Sequence, residues 1–104
     1  MAVDYLETNG HQVLERNFRF KRSEIDVVSK LAELLCFTEV KYRSDDNFGE
    51  PEDFVSVNQQ QKILEAASHF ILEIDWHGDI RFDIIAIKEI KGRIEIKHFE
   101  DAFY

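Results

Sequence analysis

The sequence predicts a mixed α/β (α+β) fold in one domain over residues 1–104, with the element order α-β-β-β-α-β-β. Apolar residues recur at helical spacing between residues 63 and 74, which predicts a long amphipathic helix. Segments rich in β-branched or alternating apolar residues lie on both sides of that helix and predict strands. A chain of 104 residues is long enough for one domain and too short for two.

The first half of the chain is predicted to form a short helix and three strands. Residues 2–8 suit a helix, and Asn9-Gly10 ends it because glycine readily takes a left-handed conformation. Residues 11–20 alternate and predict a strand. Residues 24–29 and 34–42 predict two more, with Ser23 as a candidate first residue. These two are expected to form an antiparallel hairpin around residues 30–33, although that turn lacks the Gly or Asn of tight hairpins.

The second half is predicted to contain a loop, the long helix and two strands. The acidic segment 43–53 carries Gly49 and Pro51 and is typical of a mobile loop. Ser56 suits the N-cap of the long helix, which then carries an apolar stripe formed by Ile63, Ala66, Ala67, Phe70, Ile71 and Ile74. Residues 75–79 form a turn, and residues 80–87 and 93–97 form strands joined by Lys91-Gly92.

Composition narrows the class of protein. The chain has 44% apolar residues, including nine Phe, and 33% charged residues, which favours a globular domain over a disordered one. No run of residues approaches the roughly 20 apolar residues of a membrane span, and the N-terminus lacks the pattern of a signal peptide. We therefore expect a cytoplasmic protein that does not interact with membranes.

The charged residues give two opposing indications about whether the protein binds nucleic acid. A net charge of −8 argues against a protein that coats DNA, because affinity for nucleic acid comes largely from Lys and Arg. A basic stretch points the other way and contains Arg16, Arg19, Lys21 and Arg22. A solvated surface patch explains that stretch equally well. Carboxylates gathered to hold a cation also make a chain acidic, so charge alone leaves nucleic-acid binding open.

Two pairs of charged residues indicate metal chemistry. Glu24 and Asp26 are two apart on one strand, as are Glu39 and Lys41 on the next, and residues two apart point to one face. A suitable hairpin register would gather three carboxylates and one ammonium group. Such oxygens suit Mg²⁺ or Mn²⁺. The alternative is that these are strand-end charges facing solvent, with Lys41 paired to Glu24 or Glu39.

Motifs along nearly the whole chain resemble one bacterial family. They are Ser-Glu-Ile-Asp-Val-Val from residue 23, Phe-Thr-Glu-Val-Lys-Tyr-Arg-Ser over 37–44, Phe-Gly-Glu-Pro over 48–51, Lys62-Ile63 with Ala66 and Ala67, Arg-Phe-Asp-Ile-Ile-Ala-Ile over 81–87, and His-Phe-Glu-Asp-Ala-Phe over 98–103. In order and spacing they resemble the YraN-like family of nucleases. That family is grouped with the PD-(D/E)XK nucleases and is similar to archaeal Holliday-junction resolvases.

The resemblance implies a restriction-endonuclease-like fold, a mixed central sheet flanked by helices, with the metal site where the hairpin strands diverge. It makes Asp26 the first acid of the motif, Glu39 the second and Lys41 its lysine, with the Val40 carbonyl as a further metal ligand. Weaker catalytic candidates are Glu24 and Gln60. Family members usually begin with a Gly-Glu segment that precedes the first helix, whereas this sequence begins Met-Ala-Val-Asp.

These observations lead to two hypotheses. The first is a Mg²⁺- or Mn²⁺-dependent endonuclease acting on DNA, with branched DNA as a candidate substrate and a homodimer as the expected assembly. Candidates for nucleic-acid contacts are Arg16, Arg19, Arg22, Arg43, Tyr42 and Lys62. The second is a catalytically inactive module of the same fold that binds nucleic acid or a protein partner.

Overall fold

The computed structural model describes residues 1–43 and 55–104, which form two helices and five strands. In chain order these are α1 (Ala2–Thr8), β1 (Gln12–Phe20), β2 (Ser23–Leu31), β3 (Leu34–Arg43), α2 (Val57–Ile74), β4 (Asp79–Ile90) and β5 (Arg93–Phe99). The predicted order α-β-β-β-α-β-β is confirmed. The loop predicted over residues 43–53 lies outside the described residues, apart from Arg43, which is the last residue of β3.

The five strands form one mixed sheet in the order β1-β2-β3-β4-β5. The neighbours β1 and β2, β2 and β3, and β4 and β5 are antiparallel, whereas β3 and β4 are parallel. Parallel neighbours need a crossover connection, and α2 lies in the connection between β3 and β4. The crossover connection that contains α2 therefore passes over one face of the sheet.

Buried apolar side chains cover both faces of the sheet. On one face α2 packs in a core with Ile25, Phe37 and Ile84. On the other face α1 packs in a core with Val27 and Ile85. Consecutive residues of β4 belong to opposite cores because side chains alternate along a strand. This arrangement is the mixed sheet flanked by helices that the resemblance implies.

Helix α2 begins and ends at recognisable caps. The Ser56 hydroxyl accepts the Gln59 N–H at 3.2 Å, which is the N-cap interaction that the sequence predicts. Asp75 ends the helix with a φ of 55°. The buried stripe consists of Ile63, Ala66, Ala67 and Phe70. Neither described helix combines the length and the apolar character needed to cross a membrane.

The hairpin between β2 and β3 turns more tightly than the sequence predicts. β2 continues to Leu31, so Ala32 and Glu33 alone form the turn that was expected over residues 30–33. Ala32 has a φ of 52°, and two-residue hairpins require such positive values. An alanine takes this conformation at a cost of about 1–2 kcal/mol. The hairpin therefore forms without the Gly or Asn that usually marks its turn.

A buried carboxylate holds the end of β5 against β4. Asp83 is fully buried. Its oxygens accept two hydrogen bonds from Arg81 at 2.8 Å, one from His98 Nε2 at 2.7 Å and one from the Asp101 N–H at 3.1 Å. Burial alone would raise the pKa of Asp83, but the hydrogen bonds from His98, Arg81 and Asp101 outweigh it and lower that pKa.

We expect Asp83→Asn to lower the free energy of unfolding by roughly 3–5 kcal/mol, because removing one partner leaves buried charges uncompensated. Urea denaturation followed by circular dichroism measures this loss. Asp79→Asn is a matched control, since Asp79 is exposed at the start of the same strand, and should change stability by less than about 0.5 kcal/mol. Equal stabilities of the two variants would contradict the role of the Asp83 cluster.

Candidate functional site

The site lies where β2 and β3 separate. Their main-chain pairing ends at Val27 opposite Thr38. One step further, the same register places Asp26 across from Glu39. The Val40 N–H, beyond the end of the ladder, donates to Asp26 Oδ2 at 2.7 Å. The Asp26 side chain therefore takes the position of a main-chain acceptor at the point of divergence.

Glu39 is a buried acid on an apolar strand face. Alternation along β3 puts it on the same face as Leu35 and Phe37, which belong to the core under α2. Glu39 is 5% exposed, and its Oε1 has no hydrogen-bond partner among the described residues. A buried carboxylate without a partner is unfavourable. A bound cation is one of the few groups that would remove this cost.

Both carboxyl groups hold protons more tightly than usual. Burial raises the pKa of Glu39 to about 8, and the Asp26 charge adds to the rise, while Lys41 and the Asp26 N–H oppose it. Burial also raises the pKa of Asp26, against the opposing effect of the Val40 N–H. A cation between the two groups would favour their charged forms and reverse both shifts.

Asp26, Glu39 and Lys41 line a single cleft of about 560 Å³ between the sheet and α2. This volume falls within the range of small-ligand sites, about 300–1,000 Å³. The remaining lining residues come from the turn before β2, from β2 and β3, and from the N-cap and first two turns of α2. They are Arg22, Ser23, Glu24, Val40, Ser56, Asn58, Gln59, Lys62 and Ile63. The cleft therefore has a carboxylate side on the sheet and an amide-rich and cationic side on the helix.

The alternative pairings of Lys41 are not found. Glu24 lines the cleft but forms an ion pair with Arg19, with Nε and Oε2 2.9 Å apart. Lys41 forms no ion pair with any carboxylate in residues 1–43 or 55–104. Glu39 is buried and does not face solvent. The half-buried residue Lys41 therefore lines the cleft together with Asp26 and Glu39.

The residues predicted to contact nucleic acid divide between the two sides of the sheet. Arg22 and Lys62 line the cleft. Arg16 and Tyr42 line a smaller recess of about 220 Å³ on the α1 side. Arg43 lines a further recess next to Tyr42. Only two of the predicted cations thus share a cavity with all three motif residues.

Gln60 is not brought into the cleft. Its side-chain amide donates to the Val55 carbonyl at 3.2 Å, and Gln59 lines the cleft instead. Successive helical residues point about 100° apart, so the two glutamines face different directions. Ser56 and Asn58 also line the cleft without having been predicted as site residues. The N-cap Ser56 is the sequence feature that could have indicated these residues. A crossover helix begins near the carboxyl ends of parallel strands, which is where ligands bind.

Comparison with known proteins identifies the family. The model described as "Uncharacterised protein family UPF0102" matches residues 1–87. The chain belongs to this family. It is 39% identical to the UPF0102 protein of Christiangramia forsetii over 104 residues, covering the whole chain and 87% of that relative. It is 40% identical to that of Thermodesulfovibrio yellowstonii over 104 residues, covering the whole chain and 89% of the relative.

Membership of the UPF0102 family confirms the YraN-like resemblance. The UPF0102 protein of Flavobacterium psychrophilum, 38% identical over the whole chain and 87% of its own length, is a further relative. The matched region contains Asp26, Glu39, Lys41 and all of α2. The match therefore covers all three motif residues and the helix on the opposite side of the cleft.

The oxygen donors of the cleft suit a hard divalent cation. Asp26 and Glu39 supply carboxylates. The Val40 carbonyl points to the same side of β3 as the Val40 N–H, because both groups of one strand residue face the same neighbour. Mg²⁺ and Mn²⁺ accept such oxygens together with several waters. No group of three or more acidic, His or Cys side chains suited to a metal occurs in residues 1–43 and 55–104, so water would complete the coordination.

Burial of Glu39 makes the stability of the metal-free protein depend on pH. The pKa of Glu39 in the folded state, about 8, lies above its ordinary value of 4.5. The folded state therefore binds this proton more tightly than the unfolded state. The stabilisation is complete below pH 4.5 and is lost as the pH rises to about 8.

We expect Glu39→Gln to be more stable than the wild type at pH 9 by roughly 1–4 kcal/mol in EDTA, because glutamine carries no charge to bury. The gain should be much smaller at pH 5. Chemical denaturation at the two pH values measures it, with the exposed Glu95→Gln as a control that shows no pH-dependent gain. A Glu39→Gln variant no more stable than the wild type at pH 9 would disprove the burial argument.

Proposed function

We propose that this chain is a divalent-metal-dependent endonuclease that hydrolyses phosphodiester bonds in DNA. The observation that carries the proposal is the buried, unpartnered carboxyl oxygen of Glu39 beside Asp26, in a cleft that also contains Lys41. Two acids and a lysine on diverging strands form the motif that the family resemblance implies. The family match covers the region that contains these residues, and the cleft supports the chemistry.

Asp26 and Glu39 would hold the cation, with the Val40 carbonyl as the third protein ligand. When bound, Mg²⁺ or Mn²⁺ supplies a Lewis acid that polarises the phosphodiester and lowers the pKa of a bound water. The Val40 N–H fixes the orientation of the Asp26 carboxylate. Glu39 must lose its proton before it binds a cation, so its raised pKa makes metal affinity increase with pH up to about 8.

Lys41 is the third motif residue in the cleft, beside Asp26 and Glu39. Lys41 is half-buried, and its ammonium group forms no ion pair with the carboxylates of residues 1–43 and 55–104. It can donate a hydrogen bond to the attacking water or to a phosphoryl oxygen. Such a donor stabilises the negative charge that develops as the phosphorus gains a fifth ligand. Positioning of water and stabilisation of charge are therefore assigned to Lys41.

DNA is the proposed substrate because two cations besides Lys41 line the cleft in a chain of net charge −8. These two cations are Arg22 and Lys62. Arg16 lines the recess on the α1 side of the sheet, which Asp26 also borders. Lys and Arg side chains gathered at one place let an acidic protein bind a phosphate backbone there. The resemblance to junction resolvases favours branched DNA and a homodimeric assembly.

A second candidate is a module of the same fold that binds nucleic acid without cleaving it. The observation that favours it is that residues 1–43 and 55–104 hold no group of three or more side chains suited to a metal, since Glu24, the third acid on the cleft, pairs with Arg19. Two carboxylates can hold a cation that keeps several waters, so binding and cleavage are both compatible with this donor set. The two functions separate in a single cleavage assay.

We expect the purified protein to cleave at least one of four DNAs, namely four-way junction, flap, single-stranded and duplex, in Mg²⁺ or Mn²⁺. Glu39→Gln and Lys41→Met should each reduce the rate by about 100-fold or more, because each removes a group that acts on the transition state. Glu95→Gln on β5 and Lys30→Met on β2 are matched controls that lie outside the cleft.

Gel analysis of labelled DNA measures these rates. Cleavage that persists in both Glu39→Gln and Lys41→Met would show that a contaminating nuclease acts and would contradict the assignment. Binding of DNA by the wild type with no cleavage in either metal would favour the second candidate.

A further inference from the structure

The first turn of α2 forms the wall of the cleft opposite the acid pair. Ser56, Asn58 and Gln59 line the same cavity as Asp26 and Glu39. α2 is an 18-residue helix, long enough to carry a substantial dipole with its positive end at this turn. The cleft therefore lies between carboxylates on one side and the positive end of a helix on the other.

In the described part of the chain, the first turn of α2 offers N–H donors and carries no acidic side chain. The first N–H groups of a helix have no acceptor within it. The Ser56 hydroxyl satisfies that of Gln59, which leaves the N–H groups of Val57 and Asn58 without an intrahelical acceptor. Acidic residues commonly occupy the first turn, but this turn contains none. Its polar side chains are neutral amides, which do not repel an anion.

Two cations extend this wall. Arg22, in the turn between β1 and β2, and Lys62, one turn into α2, both line the cleft. Both also line an adjoining recess of about 490 Å³ that Lys21 completes, with Glu65 as the acidic residue on its lining. Positive charge therefore continues from the helix terminus away from the acid pair.

Glu39 gives an independent indication that a ligand occupies the cleft. Its side chain is 5% exposed, lines the cavity and has an oxygen without a partner among the described residues. A carboxylate attracts a cation, whereas the opposite wall attracts an anion. A phosphate group satisfies both walls, because its oxygens can bind a cation on one side and accept N–H donors on the other.

We propose that the N-terminal turn of α2, with Arg22 and Lys62, is the phosphate-binding wall of the cleft and holds a backbone phosphate of the substrate strand against the acid pair. This inference rests on the proposed function for the identity of the substrate. It assigns recognition to the main-chain N–H donors of this turn, which borders the cleft at Ser56, Asn58 and Gln59, and to two side chains. Main-chain recognition of phosphate is independent of base sequence.

Amide shifts in the ¹⁵N-labelled protein test where phosphate binds. In EDTA, inorganic phosphate and two oligothymidylates, one with a 5′-phosphate and one with a 5′-hydroxyl, are titrated separately. We expect the largest shifts at the Val57, Asn58 and Gln59 amides. Shifts with both oligonucleotides indicate an internal phosphodiester, as proposed. Two results would overturn the proposal. One is that these amides shift with inorganic phosphate and the 5′-phosphorylated strand but not with the 5′-hydroxyl strand, and the other is that the largest shifts occur elsewhere.

The substitution Asn58→Asp separates the anion site from folding. It keeps the size of the side chain and adds one negative charge beside the helix terminus, which should leave the thermal midpoint unchanged or raised. Affinity for the oligonucleotide should fall about tenfold through like-charge repulsion. Gln12→Glu adds the same charge at the exposed start of β1 and should leave affinity nearly unchanged. Equal losses in the two variants would overturn the proposal.

Lys62→Gln tests the cationic part of the wall by its salt dependence. Loss of one phosphate contact should reduce the slope of log affinity against log salt by about 0.7 for a single strand. An unchanged slope would remove Lys62 from the wall. These readouts do not depend on cleavage, so shifts at α2 in a protein that cuts no DNA would leave this inference standing while the proposed function fails.

Discussion

The cleft depends on one constraint, the placement of a carboxylate inside an apolar layer. Glu39 follows Leu35 and Phe37 on the face of β3 that packs under α2, so its side chain enters the protein rather than solvent. The main-chain pairing of β2 with β3 ends at Val27 and Thr38, so the two strands separate at this point. The separation lets the Asp26 carboxylate accept a hydrogen bond from the Val40 N–H. The raised pKa of Glu39 and its position beside Asp26 both follow from this geometry.

The two faces of the sheet show contrasting ways to bury an acid. Asp83 receives hydrogen bonds from Arg81, His98 and the Asp101 N–H, and its pKa is lowered although burial alone would raise it. Glu39 retains an oxygen without a partner among the described residues, and its pKa is raised to about 8. A satisfied buried acid stabilises a fold, whereas an unsatisfied one costs stability and is typical of functional sites. The contrast supports a structural role for Asp83 and a ligand-binding role for Glu39.

Much of the fold can be predicted because local patterns determine it. The apolar stripe and the Ser56 cap predict α2 within one or two residues of its observed bounds. The alternation of apolar and polar residues does the same for β1. The two-residue spacing of Glu39 and Lys41 predicts that they share a face. Long-range features cannot be obtained this way. The parallel pairing of β3 with β4 depends on a crossover, and the placement of Gln59 rather than Gln60 in the cleft depends on the rotation of a docked helix.

The claim that Asp26 and Glu39 share one cation can be tested directly with Mn²⁺, whose unpaired electrons broaden nearby nuclear magnetic resonance signals. In the ¹⁵N-labelled wild type at pH 8, substoichiometric Mn²⁺ should first broaden the amide signals of Asp26, Glu39 and Val40. The same addition to Glu39→Gln should leave those signals sharp. Broadening that centres on the acidic segment 45–53, or that is identical in wild type and variant, would contradict a cation site between the two strands.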